Sequence, residues 1–93
     1  MAIRSFACRY TKALFDGQKI AKYANIEKQA MRKLIQLHVA MNIEDMRVPP
    51  GNCLEPLMGN RKGSYSVRIN QQWRLCFKFE NGEANEVEIV DYH

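Results

Sequence analysis

The feature that most constrains this chain is a change of hydrophobic period at Pro49-Pro50-Gly51. Before it, Tyr23, Ile26, Ala30, Leu34, Leu37 and Met41 recur at spacings of three and four, the repeat of an amphipathic helix packed on a sheet. After it the repeat is two. In "SYSVRIN" (64–70), Tyr65, Val67 and Ile69 share one side, while Ser64, Ser66 and Arg68 share the other. In "WRLCFKFE" (73–80), Trp73, Leu75, Phe77 and Phe79 alternate with Arg74, Cys76 and Lys78. A period of two places alternate side chains on opposite faces of a strand. The two prolines and Gly51 end any helix and open a loop.

The remaining segments fill in around that switch. "AIRSF" reads as a short opening strand. "CRYTKALFDG" reads as a first helix with Tyr10, Ala13 and Leu14 on one face and Gly17 as its stop. "CLEPLMG" is a further strand, "GNRKG" (59–63) a turn, "QQ" a tight link, "NGEAN" a hairpin turn and "EVEIVDYH" the last strand. The expected fold is α+β: two N-terminal helices packed on one face of a small, mostly antiparallel sheet. Residues 1–93 form a single domain without repeats or linkers. No apolar run approaches the ~20 residues needed to cross a bilayer, and the first residues lack the apolar core of a signal peptide. The expectation is a cytoplasmic protein with no membrane partner. Cys8, Cys53 and Cys76 are odd in number and scattered, which fits reduced thiols rather than a disulfide framework or a zinc site.

The net charge of +4 conceals an asymmetry. Residues 1–33 carry eight Lys/Arg against Asp16 and Glu27. Residues 61–78 carry Arg61, Lys62, Arg68, Arg74 and Lys78 with no acid, and residues 79–93 carry five acids with no base. With the aromatics buried against the helices, Arg68, Arg74 and Lys78 would stand in rows on the opposite sheet face. A basic face of that kind suits an RNA backbone, and the acidic final strand would pair off part of it.

The last three residues, Asp91, Tyr92 and His93, are all able to handle protons. Histidine titrates near neutrality, which suits a general acid protonating a leaving oxygen. The arginines are permanently charged forks that match phosphate oxygens and would stabilise charge in a phosphoryl transition state. No metal-binding constellation occurs in the sequence. Chemistry with acids, bases and cations alone fits RNA cleavage by its own 2′-hydroxyl. Strict alternation would align Asp91 and His93 with buried Val87 and Ile89, with Tyr92 opposite. A bulge or the release of the strand end would have to turn the first two outward. Tyr65 falls on the core side, and His38 belongs at the core edge without a ligand role.

The stretch from Leu54 to His93 closely resembles the C-terminal half of HigB-type toxins, the "killer protein" branch of the RelE superfamily. The matching positions are Leu54, Leu57, Gly59, Arg61, Gly63, Tyr65, Ser66, Arg68, Asn70, Gln72, Trp73, Arg74, Cys76, Phe77 and the final Asp-Tyr-His. "IRSF" and the "PPGN" loop fit as well. The resemblance implies a RelE-like microbial RNase fold and a type II toxin: a ribosome-dependent endoribonuclease that cuts mRNA in the ribosomal A site with neither metal nor cofactor. It further implies a cognate helix-turn-helix antitoxin of HigA type, which neutralises the toxin and carries it to operator DNA. On the matching positions, Asp91, Tyr92 and His93 would be catalytic or substrate-positioning, and Arg61 and Arg74 would contact phosphates. Lys62, Arg68 and Lys78 complete the expected RNA-binding set. His93 is the favoured acid, while Asp91 and Glu55 are both open as the base.

Three positions depart from the pattern. Asn60 replaces a turn aspartate, and Glu55 and Met58 fall where some relatives carry His and Lys. Loss of a cation beside the scissile phosphate removes a contact typically worth a few kcal/mol. Two other readings stand beside the nuclease, the first disfavoured by the sequence and the second kept open by Glu55 and Met58. One is a non-enzymatic gyrase inhibitor of the ParE kind, whose members lack the terminal Asp-Tyr-His and the strand arginine. The other is a catalytically weak corepressor module that only binds the antitoxin.

Overall fold

The computed structural model describes residues 2–57 and 63–92. Two helices, α1 (Arg9–Phe15) and α2 (Glu27–Val39), lie on one face of four strands: β1 (Glu55–Pro56), β2 (Ser64–Arg68), β3 (Trp73–Glu80) and β4 (Glu83–Asp91). The strands run in the order β1-β2-β3-β4, and each neighbouring pair is antiparallel. This is the expected α+β arrangement.

The helical stripe is real, but it is shared among several elements. Ala30, Leu34 and Leu37 are buried on α2. Tyr23 closes a short 3₁₀ turn (Ala21–Tyr23) and Ile26 precedes the helix, both fully buried. Met41 departs from expectation and is 81% exposed, because Ala40 turns the chain into extended geometry and ends α2 well before the prolines. Tyr10 also departs, lying 40% exposed. Thr11 takes the inner position on α1 because its hydroxyl has a use there: it accepts the β4 backbone N–H of Ile89 at 3.0 Å and meets the Tyr23 hydroxyl at 3.4 Å. Gly17, at φ 95°, supplies the left-handed stop after α1.

The sheet core joins Val67, Leu75, Phe77, Ala84, Val87 and Ile89 to Leu14 and the α2 stripe. The β3–β4 turn has Asn81 at φ 53° and Gly82 at φ 76°, the two left-handed central residues of a type I′ hairpin. Cys76 faces Glu88 but Lys78 faces Asn85, so β4 carries an extra residue, and Glu86 stands there at φ 54°. Such a bulge lets Ala84 and Val87, three positions apart, both face the core. "AIRSF" makes no ladder strand. Ile3 and Phe6 instead form isolated parallel bridges to Ala84 and Val87, stepping by three to match the bulge and covering the β4 edge. "CLEPLMG" contributes only Glu55–Pro56 as a strand, with Pro56 at the sheet edge where a missing N–H is tolerated. The turn expected over residues 59–63 lies outside the described residues except for Gly63. Among the described residues no helix is long and apolar enough to cross a membrane.

Candidate active site

Antiparallel register decides which side chains can meet. Residues directly opposite each other in such a ladder share a face, so the pairs Glu55↔Ser66, Ser66↔Cys76, Arg68↔Arg74 and Arg74↔Val90 mark one face. Trp73↔Asp91 marks the other, which carries the helices. The face away from α1 and α2 thus gathers Glu55, Ser66, Arg68 and Arg74.

Arg74 is fixed there by three contacts. Its Nε donates to the Ser66 hydroxyl at 2.9 Å. Its terminal nitrogen donates to the Cys53 carbonyl at 2.6 Å and toward the Ser66 carbonyl at 3.4 Å. The Cys53 carbonyl is aimed by its backbone, which adopts a left-handed φ of 46°. That turn is anchored by its neighbour Asn52, fully buried. The Asn52 amide donates to the Met46 carbonyl at 3.0 Å, the Val48 carbonyl at 3.2 Å and the Gln36 side chain at 3.2 Å, and its oxygen accepts from Lys33. The "PPGN" loop therefore orients a guanidinium on the far side of the sheet edge. Neither composition nor spacing points to Asn52.

Two guanidinium-bearing residues directly opposite each other repel and weaken a sheet. Arg68 and Arg74 hold that arrangement, and Arg68 is half-buried. Two such cations side by side are chemically able to hold an anion between them. The Arg74 guanidinium lies 5.8 Å from the Tyr92 ring centroid. Tyr92 leaves the ladder with its N–H on the Gln72 carbonyl at 2.5 Å. Asp91 occupies the helix-side register yet is exposed, because the strand ends there, and it accepts from the Gln72 amide at 3.1 Å. Asn70 holds that β2–β3 link by accepting the N–H groups of Gln72 and Trp73, both at 2.8 Å.

Release at the strand end, and not the bulge, exposes Asp91, so the alternation expected for Asp91 and Tyr92 persists in space. Tyr92 joins the arginines and Asp91 does not. Lys78 is separated from Arg74 by four residues, about 13 Å along a strand, and pairs with Glu86 at 2.9 Å. Tyr65 packs on the core, 6.4 Å from Phe77 between ring centres, and His38 meets Phe15 edge-on at 5.2 Å. Arg61, Lys62, Met58 and His93 lie outside the described residues. Among the described residues no disulfide joins Cys8, Cys53 or Cys76. Among the described residues no group of three or more His, Cys, Asp or Glu is placed to hold a metal ion.

A family model described as "RelE-like toxin of type II toxin-antitoxin system HigB" matches residues 4–93. The chain is 46% identical over 61 residues to Toxin HigB-1 of Vibrio cholerae, covering 66% of this chain and 64% of that protein. It is 42% identical over 40 residues to Endoribonuclease HigB of Proteus vulgaris, covering 43% and 44% respectively. It thus spans just under two thirds of the first relative and under half of the second. Among solved structures it is similar to the YoeB-YefM complex from Staphylococcus aureus, with a TM-score of 0.61 at 18% identity over 100% of this chain and 97% of that one. That last likeness is one of fold.

Proposed function

We propose that this chain, which belongs to the HigB-like toxin family of type II toxin–antitoxin systems, is an endoribonuclease that cleaves mRNA in the ribosomal A site. The observation that carries the reading is the opposed Arg68–Arg74 pair, one arginine locked by Ser66 and Cys53 and bordered by Tyr92. The name of the Proteus vulgaris relative supports the same chemistry. In the proposed reaction the scissile phosphate sits between the arginines. A base takes the proton of the RNA 2′-hydroxyl, the 2′-oxygen bonds to phosphorus, and the bond from phosphorus to the 5′-oxygen breaks. An acid returns a proton to that oxygen. The products are a 2′,3′-cyclic phosphate and a 5′-hydroxyl.

Arg74 and Arg68 stabilise the charge that builds on the phosphorane oxygens. Of the two candidates, Glu55 shares their face and Asp91 does not, so the base role goes to Glu55. His93 is assigned as the acid, Tyr92 orients the nucleotide, and Asp91 with Gln72 steadies the strand end. Arg61 and Lys62 contact flanking phosphates. The partner is a helix-turn-helix antitoxin of HigA type, which neutralises the enzyme and links it to operator DNA. The test is induction in bacteria with mapping of transcript 5′ ends, beside Arg74→Ala. Cuts in register with the reading frame that vanish in the variant support the nuclease. Growth arrest with intact transcripts contradicts it.

A further inference from the structure

The first third of the chain carries cations that the reaction does not use. Several are matched. Arg4 pairs with Glu83 at 3.4 Å, Lys12 with Asp16 at 2.9 Å, and Lys19 with Glu27 at 3.5 Å, while Lys33 holds Asn52. Arg9 and Lys22, both exposed, have no ion pair among the described residues and converge on one exposed ring. The Arg9 guanidinium lies 5.0 Å from the Tyr10 centroid and the Lys22 ammonium 4.8 Å, and Arg9 also donates to the Tyr10 hydroxyl at 3.1 Å. This concentrated positive field holds the Tyr10 phenol below its ordinary pKa, chiefly through the Arg9 hydrogen bond.

Through contacts on the helix side of the sheet, the cluster connects to the strand end at Asp91. Lys22 also lies 5.2 Å from the Tyr23 ring, Tyr23 meets Trp73 edge-on at 5.7 Å, and Trp73 is the cross-strand partner of Asp91. To reach this corner, an RNA strand would leave the arginine face past Tyr92 and turn around the strand end at Asp91 onto the helix side. We propose that Arg9, Tyr10 and Lys22 form a second RNA-binding site, in which the cations hold two phosphates of the flanking strand and Tyr10 stacks on a base. The proposal rests on the nuclease reading for the path of the RNA. Cations interleaved with an exposed aromatic are what sequence-tolerant single-strand binding uses. An acidic protein segment would need the charges and leave the ring without a function.

The test measures binding of a fluorescein-labelled 2′-O-methyl RNA of about 12 nucleotides, which has no free 2′-hydroxyl to attack. Affinity is followed by anisotropy across a salt series, and cleavage of ordinary mRNA is followed in parallel in a translating extract. Each single-strand phosphate contact contributes ~0.7 to the slope of log K against log salt. Arg9→Gln/Lys22→Gln should therefore flatten the slope by about 1.4. Tyr10→Leu should weaken binding roughly tenfold with the slope unchanged, and Tyr10→Phe should retain binding. Circular dichroism melting confirms that each variant folds. An unchanged slope in the double variant overturns the site. So does absence of RNA binding by the parent chain, or loss of affinity confined to a poly-glutamate probe. Cleavage alongside an unchanged slope removes this site and leaves the nuclease standing. Salt-dependent binding through these residues without any cleavage removes the nuclease and leaves this site.

Discussion

At the scale of single residues, Arg74 carries the greatest consequence. Its side chain makes a forked set of contacts that a lysine cannot reproduce, so Arg74→Lys should keep the charge and lose the aim. We expect RNA cleavage to fall roughly 10²–10³-fold, with a melting temperature close to that of the parent. A full retention of rate would mean that charge alone suffices. The two phenols of the N-terminal region should separate in a titration. Burial pushes Tyr23 up to about 12, whereas Arg9 lowers Tyr10. For Tyr23 the unfolded phenol ionises first as pH rises, so its contribution is intact below about pH 10 and is lost as pH climbs from there toward 12. For Tyr10 the sign is reversed, because the folded chain favours the ionised form. Denaturant melts between pH 9 and 12 should therefore show a steeper alkaline loss in the parent than in Tyr23→Phe. Parallel curves would refute the assignment.

At the scale of elements, β4 depends on α1. The strand's outer edge is covered by bridges at Ile3 and Phe6, then by the Thr11 hydroxyl on the Ile89 N–H. Thr11→Val keeps the shape and strands a buried donor, a change that typically costs about 1–3 kcal/mol. Equilibrium denaturation should show that loss, and amide exchange at Ile89 should accelerate more than at Leu75. Uniform acceleration would mean that the helix does not hold the strand. The contact also explains which part of α1 was readable in the sequence. Periodicity ranks side chains by hydrophobicity, so it favours Tyr10 for the inner face, and it cannot see that a threonine has a backbone donor waiting across the interface. Met41 fails for a related reason: a backbone turn at Ala40 ends the helix while the apolar pattern runs on. The strands were legible because alternation over β2 and β3 directly reports their two faces.

At the scale of the whole molecule, the α+β architecture was legible from the change of period at Pro49-Pro50-Gly51, and the family from the residues between Leu54 and His93. The geometry of the site was legible only in part. Alternation predicted that Tyr92 and Asp91 would diverge, and they do, but it could not show that Tyr92 meets Arg74 or that Lys78 is drawn to Glu86. Nor could it show that Glu55 shares the arginine face, since that follows from the β1–β2 register, or that Asn52 sets the Cys53 carbonyl that Arg74 reads. These are contacts between segments far apart in the chain, for which local pattern holds no signal. The central claim is that the RNA's own 2′-hydroxyl, activated on this face, is the nucleophile. It is tested most directly by placing one 2′-deoxynucleotide immediately 5′ of a mapped cut in an mRNA and incubating that message with the protein in a translating extract. The account predicts that this cut disappears while others persist and end in 2′,3′-cyclic phosphate and 5′-hydroxyl groups. Cleavage that continues at the deoxy position would contradict it.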